Sequence, residues 1–285
     1  MKTARKIDGK AIAEEILTDL KRKVAQLPVP PGLAVILVGD NPASALYVKN
    51  KERACQRVGV AFHKYLCNEQ CMPGADQAQV LDAITFLNRD PSITAIIVQL
   101  PVPAGFDADT LVAAVDPAKD VDGFHPKNIK RFLAGAAVLT PPLIRTIQRL
   151  LETAAVSLAG STVAILGKDS VLRRTLGKVL VDAGAHVRAA VAEEAQFAAL
   201  VETADVVITA QGKPGAITGN RLKPGAVVID AGITRLPDGT FAGDVDAASV
   251  EKVAAAFTPT PGGVGPLTVA MLLSNVYELA VHTVP

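Results

Sequence analysis

The segment YVKNK sets Tyr47 and Lys51 four residues apart. On a helix that spacing puts both side chains on one face. An aromatic ring could then hold a planar ligand beside an amine; a solvated lysine with its stem laid over the ring reads the same way. In AIIVQLPVP an apolar run ends at Gln99, just before Leu100 and Pro101. That places a carboxamide at the carboxyl end of a parallel strand, where open α/β sheets form ligand crevices, although a buried structural glutamine would leave the same trace. In KDVDGFHP, Asp120 and Asp122 precede Gly123, as an Asx turn or as a pair of binding carboxylates would. A calcium loop is excluded, because its first and twelfth ligand positions would be Ala118 and Ile129. His63, His125, His186 and His282 have no zinc-ligand spacing, so no metal site is expected. Cys55, Cys67 and Cys71 form no CxxC pair, which fits a reducing cytoplasm better than a disulfide framework.

The elements that must position these groups follow an α/β rhythm, with short apolar runs alternating with segments of helical period. Strands are expected at 33–38, 60–66 and 95–100, with helices at 43–58 and 76–88 between them, making a βαβαβ half. A second half begins with a helix at 142–152. Strands follow at 162–166, 185–190, 206–209 and 227–230, with helices at 170–183 and 195–203, a Rossmann-like spacing. The loop TPTPGGVGPLT, Thr258 to Thr268, has the restraint needed to bring backbone close to a flat ligand. A helix follows it from Pro266 to Val281. Two α/β domains with a cleft between them are therefore expected, the C-terminal one Rossmann-like. Residues 1–122 plus 266–285 would form one domain and residues 140–262 the other.

Composition agrees. A chain of 285 residues exceeds the ~150-residue prior for one domain. With 49% hydrophobic and 20% charged residues and a mean hydropathy of +0.32, it has the apolar content of a soluble globular protein rather than a disordered one. Its 29 basic and 28 acidic side chains leave a net charge of +1, so no global field favours nucleic acid or an anionic membrane. The continuous apolar runs, such as LAVILV, are strand-length and fall short of a membrane span.

Taken in order, DGK at 8–10, GDNPAS at 39–44, YVKNK, VQLPVP, KDVDGFHP, GKPG at 212–215, IDAGI at 229–233, GDVD and PGGVGPLT resemble the bifunctional methylenetetrahydrofolate dehydrogenase/cyclohydrolase family (FolD) over essentially the whole chain. The resemblance implies oxidation of 5,10-methylenetetrahydrofolate to the methenyl cation and hydrolysis of that cation to 10-formyltetrahydrofolate, a reaction pair that supplies purine biosynthesis. It implies Lys51 as the proton carrier, Tyr47 as its ring-stacking partner, Gln99 as its orienting amide and Asp122 as the carboxylate that grips the pterin. Ser44, Leu100, Gly263 and Pro266 would line the folate site. Gly167, Lys168, Asp169, Ser170, Arg173 and Ile233 would meet a dinucleotide, NADP in the family. A cytoplasmic homodimer joined through the C-terminal domain, with tetrahydrofolate derivatives as its partners, is also implied.

The nucleotide half departs from the family's GxSxxVGxP pattern. Arg173 stands at the second glycine and Thr175 at the proline, putting a bulky side chain where backbone should approach pyrophosphate. Val191, Ala192, Glu193 and Glu194 replace an HSxT-like phosphate-binding segment, so a carboxylate would repel a 2′-phosphate and accept from a ribose 2′-hydroxyl; the two acids could equally begin a helix. Val138 to Pro141 replace PCTP. NAD, or no dinucleotide, is therefore expected ahead of tight NADP binding. A cyclohydrolase with a degenerate dinucleotide site and a folate-binding paralogue without turnover are the competing expectations.

Overall fold

The computed structural model describes residues 3–283 except 69–73, 169, 192 and 195. In chain order the first elements are β1 (Arg5–Lys6), α1 (Gly9–Val24), β2 (Gly32–Val38), α2 (Pro42–Val58), β3 (Ala61–Cys67), α3 (Gln77–Arg89) and β4 (Ala95–Gln99). Then come α4 (Ala108–Ala114), α5 (Pro126–Leu133), α6 (Pro142–Thr153), β5 (Thr162–Gly167), α7 (Ser170–Asp182), β6 (His186–Ala190), α8 (Phe197–Thr203) and β7 (Val206–Ala210). The last are β8 (Val227–Asp230), β9 (Thr234–Arg235), β10 (Phe241–Ala242), α9 (Ala247–Val250), β11 (Ala256–Phe257) and α10 (Val264–Thr283).

One compact unit comprises Glu14–Pro142 and Val269–Pro285. Its sheet is parallel, in the order β3-β2-β4. β2, GLAVILV, takes the centre because every one of its residues is apolar or glycine, and all seven are buried. Its neighbour β3, at the edge, is mostly half-buried or exposed and encloses only Cys67. Ala34, Ile36 and Val38 pack with Ile84 and Leu87 of α3 and with Ile96 and Val98 of β4 in one apolar cluster. Asp76, expected as the first helical residue of α3, is instead its N-cap: its carboxylate accepts from the Gln79 amide at 2.9 Å, while the Gln79 side chain accepts from the Asp76 amide at 3.0 Å.

The other unit comprises Met1–Ala13 and Leu143–Thr268. It carries a six-stranded parallel sheet in the order β1-β11-β8-β7-β5-β6. Its core joins Leu166 and Val207 of the strands to Phe197, Leu200 and Val201 of α8. By packing, residues 3–13 group with the Rossmann-like sheet, whereas residues 1–122 were expected to form one domain. The physical reason is parallel pairing of β1 with β11, reinforced by a hydrogen bond from the Lys10 amide to the Gly262 carbonyl at 2.9 Å. The unit also retains residues 266–268, which were expected in the first domain. Gly9, in the DGK motif, has no space for a side chain: a Cβ there would lie 2.0 Å from the Gly263 carbonyl oxygen.

Helix α1 was not expected, although Asp8 caps the Ala11 amide at 2.9 Å and Ile12, Leu17, Leu20 and Val24 bury one face. Helix α10 corrects the reading of strand-length apolar runs: Val264–His282 is long and apolar enough to cross a membrane, with a mean hydropathy of 1.4. Its most apolar stretch is 61% buried, with Leu267, Leu273 and Val276 fully enclosed, which is the pattern of a core helix.

Candidate functional site

Helix α2 begins cleanly. Asn41 accepts from the Ala43 and Ser44 amides at 2.9 and 3.1 Å, and Pro42 occupies the first turn, where no amide partner is lost. Ser44, Val48, Lys51, Cys55 and Val58 then bury one face at helical spacing. Lys51 is thus 8% exposed, so the reading of a solvated lysine fails. Its Nζ donates to Gln99 Oε1 at 2.9 Å, and Gln99 Nε2 donates to the Leu100 carbonyl at 2.8 Å. The two bonds fix the carboxamide's orientation, because a flipped amide would set donor against donor and acceptor against acceptor. Gln99 is held at the carboxyl end of β4, in register with Leu37 of β2.

The next segment is pinned to the same strand by a hydrogen bond from the Ile96 amide to the Lys119 carbonyl at 2.8 Å. Asp120 and Asp122 then take different parts. Asp120 is buried and accepts from the Gly123, Phe124 and His125 amides at 3.1, 3.3 and 2.8 Å and from Asn128 Nδ2 at 2.9 Å. It is the turn residue. Asp122 is half-buried, and among the described residues the turn's side-chain hydrogen bonds go to Asp120 and not to it. Gly123 makes this division possible: its φ is +73°, and a Cβ would press on Pro141 Cγ at 3.0 Å. Asn275 of α10 holds the loop from the far side, donating to the Val121 and Thr140 carbonyls at 3.2 and 2.9 Å. His125 caps α5 through Nδ1, which accepts from the Lys127 amide at 3.0 Å, and so is structural.

Burial pushes the Lys51 ammonium below the ordinary lysine range, opposed by the charge of Asp122. Burial also pushes the Asp122 carboxyl up, against the pull of Lys51, and Asp120 adds to the rise. Cys55, one helical turn beyond Lys51, has its thiol pushed up to about 12 by burial and so supplies no competing nucleophile. Tyr47 is partly buried, and burial raises its phenol. Ser44 Oγ is buried with no hydrogen-bond partner among the described residues, a polar atom left for a ligand. A dry amine with its orientation fixed, a carboxylate outside the local turn and an unpartnered hydroxyl can bind a polar heterocycle and shuttle a proton beside it.

Gly263 and Pro266 lie in the other compact unit, at the start of α10. There too are the residues expected to meet a dinucleotide. Gly167 ends β5, which lies between β7 and β6, so the chain turns to opposite sides at its carboxyl end, where Rossmann-like sheets bind. The first turn of α7 carries no acid, and Lys168 precedes it. This donor set suits a pyrophosphate. Asp169 lies outside the described residues. Ser170 opens α7, and Arg173 falls within the helix's first turn, half-exposed. Thr175 is buried, and its hydroxyl bonds back to the Val171 carbonyl at 2.8 Å. Ile233 is 39% exposed beyond β8. Glu193 and Glu194 do not begin a helix, since α8 starts at Phe197.

A family model described as the catalytic domain of tetrahydrofolate dehydrogenase/cyclohydrolase matches residues 7–122, and one described as the NAD(P)-binding domain of the same enzyme matches residues 141–284. This chain belongs to the tetrahydrofolate dehydrogenase/cyclohydrolase family. It is 43% identical to the bifunctional protein FolD of Bordetella bronchiseptica over 98% of both chains. Among solved structures, the bifunctional FolD of Campylobacter jejuni is 37% identical with a TM-score of 0.90, covering 97% of this chain and 98% of that one. The Trypanosoma brucei FolD, complexed with NADP cofactor and inhibitor, is 30% identical with a TM-score of 0.94, covering 100% and 99%. The chain thus carries a nicotinamide-dinucleotide-binding domain as well as the family's catalytic one.

The family's IDAGI and GDVD motifs, read from the sequence without a role, meet as a buried carboxylate pair. Asp230 accepts from the Gly232, Asp244 and Val245 amides at 2.9, 3.1 and 3.0 Å. Asp244 accepts from Thr209 Oγ1 and the Gln211 amide, both at 2.7 Å, and from the Lys213 amide at 2.8 Å. Burial, aided by the neighbouring charge of Asp244, outweighs the three amides and pushes Asp230 up to about 6. Below its unfolded value near 4, Asp230 is protonated in both states; as pH rises from there through about 6, the folded state gives up its proton at a penalty. The stability conferred by the raised pKa is fully present at low pH and lost by pH 7, roughly 3 kcal/mol for a shift of two units. The excess unfolding free energy of wild type over Asp230→Asn should shrink by about that much between pH 4 and pH 7. An excess that stays constant would assign Asp230 an ordinary pKa.

Proposed function

We propose that this chain is a bifunctional enzyme that oxidises 5,10-methylenetetrahydrofolate and hydrolyses the 5,10-methenyl product to 10-formyltetrahydrofolate. The observation that carries the reading is the buried Lys51–Gln99 hydrogen bond, with Asp122 excluded from its own turn. A dinucleotide, when bound, accepts the hydride. In the hydrolytic step Lys51 takes a proton from the attacking water and returns it to a ring nitrogen, which requires a neutral fraction that burial supports. Gln99 holds the amine without adding charge. Asp122 accepts from the amino-pyrimidine edge of the pterin, and the Tyr47 ring stacks on it. NAD is the proposed dinucleotide, because Glu193 follows β6, the place from which an acid meets a ribose 2′-hydroxyl. A cytoplasmic homodimer is part of the same reading. A paralogue that only binds folate is disfavoured, since binding alone gives no reason to bury an amine.

The deciding assay follows methenyltetrahydrofolate hydrolysis and NAD-dependent methylenetetrahydrofolate oxidation with the purified chain; absence of both activities would reject the reading. Asp122→Ala should weaken folate binding by about 1.5–3 kcal/mol, or roughly ten- to a hundredfold, as a charge-assisted acceptor is lost. Unchanged affinity in a calorimetric titration would make Asp122 a turn residue only.

A further inference from the structure

One carboxylate joins three loops of the Rossmann-like unit. Lys168 follows β5, Glu193 follows β6 and Lys213 follows β7, and these are neighbouring strands in the order β7-β5-β6. Lys213 Nζ donates to Glu193 Oε1, and Lys168 Nζ lies 3.7 Å from the same oxygen. The Lys213 backbone is anchored, its amide donating to the buried Asp244 at 2.8 Å, while its side chain is 43% exposed and free to change partners. The acids at 193 and 194 therefore do not form a bare negative patch. Glu194 bonds Gln196 Nε2 at 2.7 Å, and Glu193 lies between two cations.

Two ammonium groups converging on one oxygen above the carboxyl ends of adjacent strands form the kind of arrangement that receives a phosphate. We propose that Lys168 and Lys213 are a latent subsite for an adenosine 2′-phosphate, which Glu193 keeps closed by occupying both lysines. The inference rests on the reading of this unit as dinucleotide-binding. NADP is then disfavoured through competition for two cations and not through shape: a 2′-phosphate must displace Glu193, whose charge stays nearby and repels it. A ribose 2′-hydroxyl has no such contest, because it donates to the carboxylate while the lysines keep their partner.

The test is calorimetric titration of the whole chain with 5′-AMP, 2′,5′-ADP, NAD and NADP, which reads binding without turnover. Wild type should bind NAD more tightly than NADP. Glu193→Gln should tighten 2′,5′-ADP and NADP about tenfold while weakening 5′-AMP and NAD a few-fold, since the 2′-hydroxyl loses its carboxylate acceptor. Adding Lys213→Met to Glu193→Gln should abolish that gain. The proposal is overturned if Glu193→Gln leaves 2′,5′-ADP affinity within about twofold of wild type, if the gain survives the added Lys213→Met, or if wild type prefers NADP. Failure of all four ligands to bind any variant would remove the dinucleotide reading itself, and the subsite with it; normal NAD binding alongside an unmoved 2′,5′-ADP affinity removes the subsite alone.

Discussion

Lys51→Met should lower methenyltetrahydrofolate hydrolysis by roughly 10²- to 10⁴-fold, the usual worth of a positioned acid–base group, while folate affinity stays near wild type. Methionine keeps an unbranched apolar stem in the space that Lys51 fills at 8% exposure, so α2 loses little packing. It loses the hydrogen bond that the amine makes to Gln99 Oε1 at 2.9 Å, and with it the proton carrier. Lys51→Arg is expected to be nearly as inactive, since a guanidinium has almost no neutral form and burial cannot bring it into range. Stopped-flow hydrolysis read beside a folate titration checks both halves of the claim. Hydrolysis within a few-fold of wild type in the methionine variant would remove Lys51 from the centre. A matching collapse of folate binding would make it a ligand-holding residue instead.

Asp244→Ala should destabilise the Rossmann-like unit by roughly 3–5 kcal/mol, because three donors would be left inside the protein without an acceptor. The carboxylate is fully buried, as is the Thr209 hydroxyl within β7, while the Gln211 and Lys213 amides on the short segment after β7 are half-buried. Asp244→Asn should cost less, because its remaining oxygen still accepts while its amino group faces a donor. The measurement is the urea midpoint of the whole chain, with circular dichroism as the check that the starting state is folded. A loss below about 1 kcal/mol for the alanine variant would mean that water reaches these donors. Two sequence motifs would then lose the structural role assigned to them.

Much of the folate-binding half was legible before any coordinates. Ser44, Val48, Lys51, Cys55 and Val58 recur at helical spacing, so the face shared by Tyr47 and Lys51 follows from the backbone period alone. The uninterrupted apolar run of β2 requires a strand covered on both sides, and thus a parallel sheet with its ligand end at the carboxyl termini. Gln99 is placed there by counting. What the sequence could not decide is which member of a pair is free. Asp120 and Asp122 are chemically alike, and only the pinning of Lys119 to β4 and the left-handed turn at Gly123 make one a cap and leave the other available. The same limit applies where partners come from separate strands. Asp230 meets the Asp244 backbone across 14 residues, and Glu193 meets Lys213 across 20, because strand order in the sheet brings their loops together. A two-residue strand such as β1 has no period to detect, so its pairing with β11, and with it the placing of residues 3–13, also belongs to the tertiary structure. Local period and composition are properties of neighbouring residues. The charge around Glu193 depends on residues brought close by folding, which is why two adjacent acids read as a negative patch in the sequence and stand as a neutralised cluster in the fold.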